Sequence, residues 1–175
     1  MMRELLLPLS SEDIASLKAY DQVFLTGSLY VGRDQVHKRL YELLQQERSL
    51  PISLEGETIY YMGPSPAPEG KLIGSCGPTT SARMDPFSPL LLDRGLKVMI
   101  GKGPRSKEVA SAIKRNKAVY LQAFGGCGAL YASTVRAVTT VAFPDLGPEA
   151  LLRLEVEKFP VIVAIDSQLG SVFPQ

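Results

Sequence analysis

Apolar segments typical of strands alternate with amphipathic segments typical of helices through the middle of this sequence. The helical segments, residues 35–48 and 106–117, carry an apolar side chain every three or four positions. A further short helix is predicted at residues 10–20, which open on a capping signature. Because parallel strands need a crossover connection, this alternation favours a parallel sheet covered by helices. The strand-like segments are residues 23–30, 58–62, 96–100 and 118–124.

The two ends of the sequence contribute more strands than helices. Residues 5–9, 135–143 and 161–165 have strand character, whereas residues 149–157 are ambiguous between helix and strand. A chain of 175 residues suits one domain with a sizeable core, and we expect a single domain over residues 1–175. The predicted fold is a layered α/β domain, with a parallel or mixed central sheet and a second, partly antiparallel sheet.

The most informative motif is GSCGPTTSARMD at residues 74–85. Residues 71–74 predict a strand that leads into it, Gly77 turns the chain, and residues 84–94 predict a helix. A strand that passes through a Gly-rich turn into a helix presents free backbone N–H groups to an anion. Arg83 adds a fork of donors that fits a carboxylate or a phosphate, so the motif predicts an anion pocket.

Two further cations occupy the same kind of position as Arg83. Arg33 follows a strand and a glycine just before a helix, and Lys102 follows a strand and lies between two glycines. Ligands of open α/β sheets bind beyond the carboxyl ends of the strands, where these three cations would meet. Two arginines and one lysine suit a small di-acid. The alternative is that the three are unrelated surface cations.

Two threonines follow Gly77 in the same turn. Thr79 and Thr80 can each cap the following helix, which is the commoner role of a threonine at such a position. The hydroxyl of Thr79 can also bind a substrate oxygen or transfer a proton. Because a free threonine hydroxyl is a poor base, proton transfer would need strong help from its surroundings.

Three other polar residues near the cations have two interpretations each. His37 lies one turn into the helix after Arg33, where it is either a structural histidine, which we favour, or a proton donor. Asp34 and Asp85 each come shortly after a cation in the sequence. They either hold Arg33 and Arg83 in place or stabilise the starts of helices.

The charge and composition exclude several classes of protein. With 19 basic and 18 acidic side chains, the formal charge of +1 argues against a general nucleic-acid or membrane-surface binder. No apolar run approaches a membrane span, and the N-terminal apolar stretch is too short for a signal peptide, so we expect a cytoplasmic protein. One histidine and two cysteines, Cys76 and Cys127, make a poor metal set, and we expect buried thiols rather than a disulfide.

Taken together, these motifs resemble the beta subunit, or C-terminal domain, of class I iron–sulfur fumarases and L(+)-tartrate dehydratases. The resemblance extends over nearly the whole chain in the same order, and residues 74–85 are its most specific part. Ala82 stands where the family usually has glycine. The other matching stretches are residues 32–38, 63–66, 101–103, 123–130, 155–160 and 165–166.

The resemblance implies a swivelling β/β/α domain of a hydro-lyase that reversibly adds water to fumarate to give L-malate, with L(+)-tartrate dehydration as the alternative. Arg33, Arg83 and Lys102 would hold the carboxylates of a C4 dicarboxylate substrate, and Thr79 would contact the reacting centre as the candidate for proton transfer. The family's [4Fe–4S] cluster is held by three cysteines of an alpha subunit. This chain would therefore hold no metal and would act in a complex of α/β pairs.

Two other classes of function remain open on the sequence. The first is a non-catalytic module that binds a di-acid or a phosphate. Residues 101–107 lack the spacing of a P-loop, but Ser106 opens a helix whose N-terminus can bind phosphate. The second is a redox sensor that uses Cys76 and Cys127.

Overall fold

The computed structural model describes residues 2–174, which form a mixed α/β fold. Its strands are β1 (Met2–Leu6), β2 (Gln22–Val31), β3 (Thr58–Tyr60), β4 (Val98–Gly101), β5 (Val119–Gln122), β6 (Val135–Ala142) and β7 (Leu151–Ile165). Its helices are α1 (Ser11–Ser16), α2 (Asp34–Gln45), α3 (Ser88–Asp93), α4 (Lys107–Arg115) and α5 (Gly128–Ser133). Two 3₁₀ segments are Ser81–Met84 and Pro144–Glu149.

All of these strands belong to one mixed sheet. Strands β1 to β5 are parallel neighbours in chain order, which confirms the parallel part of the prediction. β7 runs antiparallel to β2, β5 and β6. Because β7 pairs with both β2 and β5, it closes strands β2–β5 into a barrel-like ring, with β1 and β6 outside it. The expectation of a second sheet is therefore wrong, since the antiparallel strands join the first one.

The central strands bury apolar side chains on both faces. Val98 and Ile100 of β4 belong to one apolar cluster with β2 and β7, whereas Met99 belongs to a second cluster beneath α2, α3 and α4. Because successive side chains of a strand point to opposite faces, burial of both faces requires an unbroken apolar run. The helices complete the second cluster, for example with Val109 and Ile113 of α4.

Local side-chain hydrogen bonds define the start of two helices. Before α1, the Ser10 hydroxyl accepts a hydrogen bond from the Asp13 amide at 3.0 Å, and the Asp13 carboxylate accepts one from the Ser10 amide at 3.3 Å. This reciprocal capping box confirms the predicted helix start. At α4, the Ser106 hydroxyl accepts from the Val109 amide at 3.2 Å. None of the described helices is both long and apolar enough to cross a membrane.

Three segments differ from or refine the sequence expectation. Residues 71–74 are irregular rather than a strand, and the chain pairs there with the Pro-rich loop, where the Ser75 amide donates to the Ser65 hydroxyl at 2.8 Å. The helix predicted over residues 84–94 begins only with α3, because Pro86 cannot donate the next helical hydrogen bond. The ambiguous residues 149–157 fall largely in the long strand β7.

Candidate functional site

The loops that follow four parallel strands lie side by side at one edge of the sheet. β2 is followed by Gly32 and Arg33, β3 by Gly63, β4 by Lys102 and β5 by Gly125. Because these strands are parallel neighbours, their carboxyl ends face the same side. The Lys102 side chain reaches over Gly125, where a Cβ atom would lie 3.8 Å from Lys102 Nζ.

Backbone hydrogen bonds hold the segment from Thr79 to Ser81 along this edge. The Thr79 amide donates to the Tyr61 carbonyl at 2.8 Å, and the Ser81 amide donates to the Lys102 carbonyl at 2.9 Å. Thr80 is exposed and pairs with Lys102 through its backbone, and its side chain makes no capping hydrogen bond. Thr79 is half-buried and lies one residue before the N-cap position, so the capping interpretation of Thr79 is wrong.

Arg33 stands at the N-cap of α2, with its guanidinium against the backbone of Gly63. A Cβ atom on Gly63 would lie 2.5 Å from Arg33 Cζ, so only glycine leaves room for this side chain. Arg33 Nη2 forms an ion pair with Glu149 at 3.2 Å. Within residues 2–174, Arg33 Nε is buried and has no hydrogen-bond partner. Leaving a buried N–H unpaired costs about 1–3 kcal/mol, and an anion would reach this donor only if the Arg33 side chain moved.

Arg83 pairs with Asp34 from the start of α2. Its Nη2 and Nε donate to Asp34 Oδ2 at 2.7 and 3.1 Å, and about half of the Arg83 side chain is exposed. Asp85 instead accepts a hydrogen bond from Arg105 Nε at 2.7 Å. The hypothesis that Asp34 holds Arg33 and Asp85 holds Arg83 is therefore wrong. The Arg83–Asp34 ion pair joins the 3₁₀ segment to α2, so Arg83 is held against the residue that follows Arg33.

His37 is fully buried beneath the backbone of Arg33. Its Nδ1 donates to the Arg33 carbonyl at 2.7 Å, whereas Nε2 has no hydrogen-bond partner in the described part of the chain. Burial lowers the pKa of His37 to about 4, so the imidazole is neutral at pH 7. Its ring packs edge-on against Tyr61, with the centroids 5.1 Å apart. This environment supports the structural interpretation of His37 and disfavours the proton donor.

One buried cation was not singled out by the sequence. The side chain of Arg105 is fully buried between two tyrosine rings, with Cζ 5.2 Å from the centroid of Tyr61 and 4.8 Å from that of Tyr120. Its Pro–Arg–Ser setting before a helix is typical of an exposed loop, so no local signal marks it. The tyrosines that enclose Arg105 come from β5 and from the residue after β3, and only the assembled sheet brings them together.

The N-terminus of α4, which was the alternative phosphate site, already holds a carboxylate. Asp85 Oδ2 accepts a hydrogen bond from the Ser106 amide at 2.9 Å. The Ser106 hydroxyl is occupied by its contact with the Val109 amide. These contacts occupy both the amide and the hydroxyl of Ser106, which argues against phosphate binding through Ser106.

Comparison with known proteins decides the family. Residues 3–175 match the family described as Fumarase C-terminus. The chain belongs to this family.

Individual relatives agree with membership of the fumarase family. The chain is 37% identical over 176 residues to the anaerobic class I fumarate hydratase of Escherichia coli (strain K12), a match covering 99% of the chain and 31% of the relative. Fumarate hydratase 2 of Leishmania major is 40% identical over 154 residues, a match covering 87% of the chain and 27% of the relative. A Methanocaldococcus jannaschii protein provisionally named L(+)-tartrate dehydratase subunit beta is 38% identical over 173 residues. This match covers 95% of the chain and 89% of the relative. The chain thus spans about a third of the length of the fumarate hydratases it matches.

The two cysteines of this fumarase-family chain do not fit a cluster-ligand set. Both are free thiols, Cys76 buried and Cys127 half-buried. Cys76 Sγ donates to the Gly74 carbonyl at 3.3 Å, and burial raises its pKa to about 11. Iron–sulfur clusters bind thiolates, and within residues 2–174 no group of three His, Cys, Asp or Glu side chains is placed to hold a metal. A protonated, buried thiol is also unreactive, which argues against a redox sensor at Cys76.

Gly77 lies against a second Gly-rich turn, at residues 125–128. The Cys76 amide donates to the Gly128 carbonyl at 3.1 Å. A Cβ atom on Gly128 would lie only 1.8 Å from Ser75 Oγ and 3.2 Å from the Gly77 amide nitrogen, so glycine permits this close approach without displacing Ser75. The second turn therefore supports the turn that leads to Thr79.

A cavity of about 540 Å³ does not enclose the three cations. It is lined by the Pro-rich loop, residues 70–75 and one side of α5, and its lining does not include Arg33, Arg83 or Lys102. The side chains of Arg33 and Arg83 are 29% and 52% exposed. The edge that carries the cations is thus accessible to a ligand or to another chain.

Proposed function

We propose that this chain is the beta subunit, or C-terminal domain, of an iron–sulfur hydro-lyase that reversibly hydrates fumarate to L-malate. The observation that carries the proposal is the placement of three cations and Thr79 along one edge of the sheet. The names of the fumarate hydratases that match this chain support the reaction class. In this proposal residues 1–175 are a single domain of a cytoplasmic enzyme.

Arg33, Arg83 and Lys102 are suited to bind the two carboxylates of a C4 dicarboxylate. The Arg33 side chain is 29% exposed. Arg83 donates Nε and Nη2 side-on to Asp34, which leaves the end-on pair of N–H groups on Nη1 and Nη2 for a carboxylate. Carboxylates accept such paired donors in a fixed geometry. Asp34 and Glu149 neutralise two of the three cations, which leaves a local excess of positive charge to attract a dianion.

Thr79 is the residue of this chain that we assign to proton transfer. Hydration forms a C–H bond at the carbon next to one carboxylate and a C–O bond at the other alkene carbon, and dehydration breaks the same two bonds. In hydration the Thr79 hydroxyl would give its proton to one carbon while water adds its oxygen to the other, and the alkoxide would regain the proton that the water loses; dehydration runs these transfers in reverse. Positive charge favours a deprotonated hydroxyl, and Lys102, whose carbonyl accepts from the Ser81 amide two residues after Thr79, would supply the help that a threonine needs.

We further propose that a cluster-bearing alpha subunit completes the site, in a complex of α/β pairs that needs neither nucleic acid nor membrane. The cysteines of this chain do not fit a [4Fe–4S] cluster, so the ligands would come from the partner. Most of the length of the matching fumarate hydratases lies outside the match, and the M. jannaschii relative is named as a subunit. Rotation of this chain as a swivelling domain would bring the sheet edge that carries Arg33, Arg83 and Lys102 onto the partner and exclude water.

Dehydration of L(+)-tartrate is the second candidate function. It is favoured by one specific observation: the M. jannaschii relative named after this activity matches the chain over 89% of its own length. Tartrate is also a C4 di-acid, so the same three cations suit its carboxylates.

The test of the proposed function is anaerobic co-purification of the chain from its host, followed by assays with fumarate and with L(+)-tartrate. We expect a brown complex with a Cys-bearing partner that forms L-malate from fumarate. Turnover of L(+)-tartrate alone would favour the second candidate. A colourless chain that elutes alone and binds di-acids would contradict both candidates and favour the non-catalytic module.

Replacing Arg83 with lysine tests the carboxylate assignment. The Arg83→Lys variant keeps the charge but loses the paired donors, which is expected to cost about 1–3 kcal/mol of transition-state binding, or roughly 5- to 150-fold in kcat/KM. The measurement is steady-state kinetics of the purified complex.

Arg115→Lys is the matched control for Arg83→Lys. Arg115 also donates Nε and Nη2 to one carboxylate, that of Asp93, and its side chain is 54% exposed. It lies at the end of α4, away from the cation edge, so the control should keep the kinetics of the natural chain. Unchanged kinetics in Arg83→Lys, or an equal loss in Arg115→Lys, would refute the assignment.

A further inference from the structure

We propose that Arg105 is a positioning residue that fixes the 3₁₀ segment carrying Arg83 relative to the loop carrying Lys102. The inference rests on the proposed function, because it takes Arg83 and Lys102 as the groups that bind substrate carboxylates. The Arg105 side chain is fully buried, so it acts through its neighbours rather than by touching a ligand.

The first set of contacts joins Arg105 to the residues immediately after Arg83. Arg105 Nε donates to the Asp85 carboxylate at 2.7 Å. Arg105 Nη2 donates to the Ser88 hydroxyl at 2.9 Å, and that hydroxyl donates in turn to the Met84 carbonyl at 2.9 Å. One guanidinium thus holds the C-terminal end of the 3₁₀ segment at two points.

The second set of contacts joins Arg105 to the loop of Lys102 through Tyr120. The guanidinium lies over the Tyr120 ring, and burial raises the pKa of that tyrosine, so its hydroxyl stays protonated. The Tyr120 hydroxyl donates to the Gly103 carbonyl at 2.7 Å and lies 2.7 Å from the Ser81 hydroxyl. The loop and the N-terminal end of the 3₁₀ segment are therefore held by the ring on which Arg105 stacks.

These contacts suit positioning better than stability alone. Removing a charge from water is costly, and a buried ion pair is weak evidence for stabilisation. The hydrogen bonds of Arg105 and Tyr120 instead fall on residues that flank Arg83 and Lys102. Arg105 contacts only the ring and hydroxyl of Tyr61, whereas the Tyr61 backbone is held by its amide donating to the Ile100 carbonyl at 2.8 Å. The Tyr61 carbonyl accepts from the Thr79 amide, so displacement of the cations would leave Thr79 largely in place.

The test is Arg105→Lys in the co-purified complex, because lysine keeps the charge but loses the planar fork and much of the stacking. We expect KM for fumarate and Kd for L-malate to rise about five- to tenfold, with kcat changed less than about twofold. Tyr120→Phe, which keeps the ring and removes only its hydroxyl, is a milder second variant and should shift KM and Kd in the same direction. Thermal unfolding of each complex is measured in parallel.

Asp166→Asn is the matched control for lost stability. Asp166 is buried and accepts hydrogen bonds from the Ala19, Gln168 and Gly170 amides, and it follows β7 at the opposite end of the sheet from the cations. This control should lower the unfolding temperature and leave KM and Kd unchanged. If Arg105→Lys and Tyr120→Phe also lose stability while KM and Kd stay constant, Arg105 is merely structural and the inference is overturned.

The binding measurement separates this inference from the proposed function. Should the natural complex bind L-malate without hydrating fumarate, the proposed reaction is wrong, while weaker binding by Arg105→Lys would still support positioning. A natural complex that binds no C4 di-acid would overturn the inference together with the assigned substrate class.

Discussion

Replacing Thr79 with alanine is expected to lower kcat for fumarate hydration by about 100- to 10,000-fold, with little change in KM. Alanine keeps the backbone amide that donates to the Tyr61 carbonyl, so the turn should retain its position. What is lost is the only hydroxyl that we assign to proton transfer at carbon. The measurement is steady-state kinetics of the anaerobically purified complex in both reaction directions.

Thr80→Ala provides a control on the same loop with the same chemistry. Thr80 is exposed, its contact with Lys102 is made by the backbone, and its hydroxyl caps nothing. Its loss should therefore leave kcat within about threefold, since exposed surface changes are usually small. Equal losses in the two variants, or a Thr79→Ala complex that retains a third of its activity, would remove Thr79 from the proposed mechanism.

The free energy of unfolding is expected to fall by on the order of 3 kcal/mol between pH 6.5 and pH 4 because of His37 alone. Burial lowers its folded-state pKa from the ordinary value of 6.5 to about 4, so between these values the unfolded chain binds a proton that the folded chain does not. A proton bound only by the unfolded state lowers stability by about 1.4 kcal/mol for each pH unit of acidification. Above about pH 7.5 this contribution is nearly constant.

His37→Asn isolates this contribution, because asparagine can still donate to the Arg33 carbonyl and does not titrate. Denaturant unfolding curves between pH 4.5 and pH 7.5 should show a shallower loss for the variant, while the carboxylates contribute equally to both proteins. The chain has one histidine, so its imidazole resonances also report the titration directly. If the free energy of unfolding fell equally with acidification in His37→Asn and in the natural chain, the buried, neutral state of His37 would be refuted. A folded-state titration of His37 near pH 6.5 would refute it as well.

The local elements were largely predictable because their causes are local. The capping box joins Ser10 and Asp13, which are three positions apart, and the apolar runs of β4 and β5 are continuous in the sequence. The positions of Arg33 and Lys102 at the ends of parallel strands also follow from segment order alone. Where one local signal met a competing one, as with Pro86 inside a predicted helix, the prediction misplaced the helix start.

The long-range pairings were not predictable, since each depends on which surfaces the fold brings together. Asp34 lies beside Arg33 in the sequence but bonds Arg83, which is 49 residues away. Arg105 has the local sequence of an exposed loop but is enclosed by Tyr61 and Tyr120. The long strand β7 closes the ring of β2–β5, whereas its sequence alone left helix and strand equally open over residues 149–157.

The sequence by itself determined most of the order of strands and helices, the parallel core of the sheet and the edge at which Arg33 and Lys102 stand. It did so because periodicity, caps and glycine turns act over a few residues and need no knowledge of the rest of the chain. Only the tertiary structure decided which carboxylate holds which arginine, that His37 is buried and neutral, and that Arg105 lies inside the fold. Those outcomes depend on burial and on contacts between distant segments, because the free energy of a charge changes with its surroundings far more than with its neighbours in the chain.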